Sequence, residues 1–82
     1  MRRYRTKEEV PWMEVLRILR WYLDMNLCNL KIAERRGADP AQTPYLPNLR
    51  TACAASRSLH RFLGYDETKL EREAAELLRR FS

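Results

Sequence analysis

Residues 11–36 constrain the fold more than any other stretch. At helical spacing, Trp12, Leu16, Leu19, Leu23, Asn26, Leu30 and Ala33 follow one another in steps of four and three. A second row, Val15, Ile18, Tyr22, Met25, Asn29 and Ile32, runs beside it, and Trp21 with Cys28 adds a third apolar strip. A helix apolar around so much of its circumference needs partners on more than one side. The rest of the chain supplies one of them; other copies of the chain are expected to supply another.

Eighty-two residues make one domain, near the size at which a single core barely suffices. Arg17, Arg20 and Asp24 interrupt the longest apolar run, so no membrane span is expected. The basic start lacks the apolar region and cleavage site of a secretory signal. Cys28 and Cys53 match no zinc or redox spacing and are expected as reduced thiols in a cytosolic core. The formal charge is +5, and thirteen of the sixteen basic residues are Arg. Guanidinium forks suit phosphate and carboxylate, so the excess fits nucleic acid or an acidic protein surface.

Along the chain, residues 1–10 form a basic arm and residues 11–82 a helical domain. The first helix is expected over residues 11–36, opened by Pro11 and closed by Arg35, Arg36 and a left-handed Gly37. Its polar strip is Glu14, Arg17, Arg20, Asp24, Lys31 and Glu34. A connector with Pro40, Pro44 and Pro47 reads as stiff and extended, with Thr43 and Pro44 as N-cap and first helical residue. The second helix, residues 44–63, turns Leu46, Leu49, Cys53, Ser56, Leu59 and Leu63 inward. It contains no acid, and Arg50, Arg57 and Arg61 form a basic stripe beside His60. The third helix, residues 67–81, takes Asp66 as N-cap, with Tyr65 and Leu70 at the staple positions. Leu70, Ala74, Leu77, Leu78 and Phe81 make its narrow apolar stripe. The fold class is therefore all-α: a long antiparallel helical hairpin with a short third helix, oligomerising through the long helix. In that hairpin Cys28 and Cys53 come out level and are expected to pack as two small thiols across the helix interface.

Catalysis finds no support. The single histidine, His60, is paired by spacing with neither a nucleophile nor a carboxylate, and is expected at a helix edge near Arg57 and Arg61. HExxH, CxxC, P-loop and GxGxxG patterns are missing, as is an acidic metal cluster on the long helix. No enzyme, cofactor or metal is expected. A ligand-holding bundle would need more polar side chains converging in the core.

Asn26 and Asn29 lie in the two apolar rows, where a buried Asn fixes register or oligomeric state and an edge Asn faces solvent. Trp12 and Trp21, nine residues apart, project from opposite sides of the helix. Either the third helix covers one of them or a subunit interface does, and Trp enrichment at interfaces favours the second. The expected oligomer interface is Trp12, Leu16, Leu19, Trp21, Tyr22, Met25 and Asn26. Candidate phosphate contacts are Arg2, Arg3 and Arg5 of the arm and Arg50, Arg57 and Arg61 of the stripe. The other reading of the stripe is a solvated face, or one paired with acids such as Glu67 and Glu71. A helix-turn-helix is excluded by the long, proline-rich connector.

The order of these signals has a parallel. Leu16, Tyr22, Leu30 and Arg36-Gly37, then Pro44-Tyr45-Leu46-Pro47-Asn48-Leu49, then Arg57-Ser58-Leu59-His60-Arg61-Phe62-Leu63-Gly64 resemble the helical hairpin of phage small terminase subunits. The likeness covers about residues 12–72. It implies a ring-forming, non-catalytic adaptor for viral DNA packaging that engages a large ATPase subunit, in the cytoplasm of a bacterium or virus-infected cell. This chain departs from that pattern in lacking an N-terminal DNA-binding helical domain, which leaves the arm and the stripe as the DNA candidates. A reading from another class stands beside it: a small helical module that inhibits or scaffolds an acidic protein partner. Salt dependence of DNA binding separates the two.

Overall fold

Helix α1 spans Trp12–Arg35, α2 Tyr45–Leu63 and α3 Lys69–Arg79. The computed structural model describes residues 10–81, and the sequence expectations for Arg2, Arg3 and Arg5 lie outside the described residues. Among the described residues the protein is all-helical, with no strand. At 1.5 Å per residue α1 is about 36 Å long, so it sets most of the 47 Å long dimension.

Both glycines end helices. Gly37 has φ +82° and Gly64 φ +75°, a conformation that costs a residue with a Cβ. At the end of α1 the Gly37 N–H donates to Glu34 O and the Ala38 N–H to Ala33 O, both at 3.0 Å. At the end of α2 the Tyr65 N–H donates to His60 O at 2.9 Å. Such bonds satisfy carbonyls that have no partner inside the helix.

The connector departs from the extended expectation. Pro40–Gln42 forms a short 3-10 turn. The Asp39 carboxylate accepts the Ala41 N–H at 3.1 Å and the Thr43 hydroxyl donates to Pro40 O at 2.8 Å. A proline preset near helical φ, preceded by a capping Asp, favours one tight turn over an extended strap.

The core gathers Leu23, Leu27 and Leu30 of α1, Leu46, Leu49, Ala52 and Cys53 of α2, and Ala74 and Leu77 of α3. Leu27, absent from both sequence rows, extends the Leu23–Leu30 face. Trp12 at the start of α1 meets Phe62 near the end of α2 edge-on, ring centroids 5.2 Å apart. The two thiols do not pack together. Cys53 is buried, whereas Cys28 is exposed on the outer side of α1, where its Sγ–H points at Asp24 Oδ1, 3.8 Å away. Helical phase explains the miss: level along the axis is not the same as facing inward.

Helix α3 starts two residues later than expected, with Thr68 and not Asp66 as N-cap. Thr68 and Glu71 have capping-box spacing, and the Glu71 carboxylate accepts the Thr68 N–H at 3.0 Å. The Asp66 carbonyl instead meets the His60 ring.

Candidate functional site

Two features distinguish the molecule: a buried polar node between the helices, and an apolar row left outside them.

The node is centred on Glu71, whose side chain is fully buried in the first turn of α3. Its Oε1 accepts the Ser56 hydroxyl at 2.8 Å and lies 2.8 Å from His60 Nε2 and 3.4 Å from Arg20 Nε. Its Oε2 accepts the Thr68 N–H and hydroxyl. Burial works against its charge, but the Thr68 and Ser56 hydrogen bonds, a backbone hydrogen bond and nearby His60 outweigh it, lowering the carboxyl to about 2.

His60, also buried, is fixed from both sides. Its Nδ1 lies 2.8 Å from Asp66 O, a carbonyl that only accepts, so that nitrogen carries a hydrogen. Its Nε2 lies between the Glu71 carboxylate and Arg20 Nη2, which is 3.1 Å away. A carboxylate only accepts and a guanidinium only donates, so the proton on Nε2 decides which bond forms. His60 is thus a core residue, not the helix-edge residue expected beside Arg57 and Arg61.

The node joins one residue of α1, two of α2 and the start of α3. Every buried side-chain nitrogen or oxygen among the described residues has a partner. Ser56 and Glu71 are inaccessible, so no substrate atom can approach them. Chemically the node is a latch that holds α3 down. Sequence reasoning missed it because its members are 51, 15 and 11 residues from Glu71; only the Thr68-to-Glu71 spacing was a readable signal.

The basic stripe is largely engaged within the chain. Arg57 Nε donates to Glu67 on the segment leading into α3, and that hydrogen bond, with the Glu67 charge, raises the Arg57 pKa further. Arg50 Nη2 donates to Phe81 O at 2.8 Å. Arg61 is exposed and makes no ion pair among the described residues. The acid partner of the stripe, Glu67 beside Arg57, comes from the segment before α3.

The seven expected interface residues separate. Leu16 and Asn26 are buried in the chain's own interior, and the Asn26 side-chain amide donates to Tyr22 O at 2.8 Å. Trp12, Leu19 and Tyr22 are half-buried, and Trp12 and Leu19 border a shallow apolar groove with Leu59 and Phe62. Trp21, 63% exposed, and Met25 face outward. They belong to a row that also includes Ile18, Cys28 and Ile32, all exposed. Steps of three and four hold the row within about 80° of the helix circumference, opposite Leu16, Leu23 and Leu30.

Compared with protein-family models, curated proteins and solved structures, the chain finds no match.

The geometry separates holding from contacting. The polar node fixes α3 against the other helices. No helix among the described residues is long and apolar enough to cross a membrane. Among the described residues no group of three or more His, Cys, Asp or Glu could hold a metal ion.

Proposed function

We propose that this chain is a non-catalytic assembly adaptor. Its unit is a long antiparallel helical hairpin with α3 latched across it, and copies associate through the outer face of α1. The observation that carries this reading is the row Ile18, Trp21, Met25, Cys28 and Ile32, an apolar strip at coiled-coil spacing that the chain leaves uncovered. The resemblance to small terminase subunits supports the same role and extends it to nucleic acid and a larger packaging ATPase.

The nucleic-acid part rests on the +5 charge and on Arg61, with Arg2, Arg3 and Arg5 as the arm's candidates. With Arg50 and Arg57 engaged in the chain, about four phosphate contacts remain, for a log–log salt slope of about −3 to −4 on duplex DNA. Titrating labelled duplex at several salt concentrations tests this. Arg61→Glu is expected to weaken binding and leave assembly intact; unchanged affinity in that variant removes the stripe from the reading.

The second reading is a module that binds an acidic protein through the cations that Arg50 and Arg57, engaged within the chain, leave free. A flat salt response with DNA, together with a monomeric chain, would put this reading first.

A further inference from the structure

We infer that the occupant of the outer α1 face is a second copy of this chain, running antiparallel, in one register. The inference rests on the assembly reading above and specifies its geometry. In register notation Ile18, Met25 and Ile32 occupy a positions and Trp21 and Cys28 d positions, with Arg17, Asp24 and Lys31 at the flanking g positions. Such a strip is self-complementary under a twofold axis, where residue i meets j and j meets i.

Charge selects among the possible alignments. With Trp21 level with the partner's Ile32 and Met25 level with the partner's Cys28, Asp24 flanks the partner's Lys31 and Lys31 the partner's Asp24. Each of the four layers made by Trp21, Met25, Cys28 and Ile32 then sets a large side chain against a smaller one, as knobs-into-holes packing favours, while Ile18 comes level with Arg35 at the end of the seam. Sliding the helices by one heptad puts Asp24 beside Asp24 and Arg17 beside Lys31, so like charges face each other. A parallel pair places Asp24 beside Asn29 and Lys31 beside Arg36, which brings no opposite charges together. Among the described residues Asp24 makes no ion pair within its own chain, and its carboxylate accepts from the Cys28 thiol. Lys31 is half-exposed beside Glu73 and keeps donors for a second acid. The exposed parts of the row would bury on the order of 1,000 Å² in a pair of copies, at the low edge of specific interfaces. A concentration-dependent dimer is the expected result.

Charge exchange tests the register. In Asp24→Lys, lysines face lysines across the axis; in Lys31→Asp, aspartates face aspartates. Each variant alone is expected to raise the dimer Kd by about tenfold, and an equimolar mixture to recover most of the wild-type affinity, because the mixed pair restores both contacts. Both positions are on the surface, and circular dichroism checks that each variant folds. If the mixture associates no better than the single variants while Trp21→Ala also dissociates the wild type, the register is wrong and the assembly reading stands. A wild-type chain that stays monomeric at every concentration overturns both. A mass well above two copies overturns the twofold pairing alone.

Discussion

His60 and Glu71 are both fully buried, and their side chains meet at 2.8 Å between the last turns of α2 and the first turn of α3. With Arg20, Ser56 and Thr68, His60 surrounds one carboxylate, while the Asp66 carbonyl holds the other side of the His60 ring. Hydrogen bonds to a buried charge are among the stronger ones, and removing one member strands the others. Glu71→Ala is expected to destabilise the fold by about 3 kcal/mol, read as a lowered midpoint in urea. A loss within about 0.5 kcal/mol, the range of ordinary surface substitutions, would mean that the node does not hold α3.

The same carboxylate sets a pH dependence. Its ordinary value is 4.5, and the fold lowers it to about 2. The unfolded chain therefore takes up this proton at higher pH than the folded one does. The stabilisation is fully present above about pH 4.5 and is lost as pH falls toward about 2, by about 3 kcal/mol. Glu73, lowered by its hydrogen bond and ion pair with Lys31, acts in the same direction at the surface. Urea midpoints between pH 6 and pH 2.5 check this, and Glu71→Gln is expected to flatten the profile.

The two thiols are expected to react very differently. Burial is the main cause that pushes the Cys53 thiol up, with Arg57 opposing it, and its Sγ lies 3.9 Å from Glu71 O. Cys28 is exposed. A thiol reagent at neutral pH should label one cysteine promptly and the second only on unfolding. Equal labelling rates in the folded protein would contradict the burial of Cys53.

Much of the helical layout was legible because it depends on short-range signals. Pro11, the glycines at 37 and 64, and the seven-residue spacing of Leu16, Leu23 and Leu30 place α1 and α2 within a residue of their ends. The start of α3 was misread because Asp66 and Thr68 are both good caps. The choice between them depends on Glu71 reaching back and on His60 engaging the Asp66 carbonyl, a contact across two helices. The outward row was present in the sequence but divided between two strips, since periodicity alone does not say which apolar face the chain covers. Likewise spacing alone left the stripe Arg50, Arg57 and Arg61 open between a free and a paired face, because the Glu67 carboxylate and the Phe81 carbonyl reach it only in the folded chain.

Trp21 is the most exposed large apolar side chain among the described residues. Trp21→Ala is expected to weaken self-association at least tenfold, as centrally placed interface tryptophans do, with little change in helicity. Parallel loss of helical signal and mass would assign Trp21 a folding role instead.

The most direct test of the account is absolute mass in solution, measured by light scattering over a concentration series at low and high salt. The mass is expected to rise from one copy toward two and to do so at high salt as well, because apolar side chains supply most of the contact. A mass fixed at one copy throughout would contradict it.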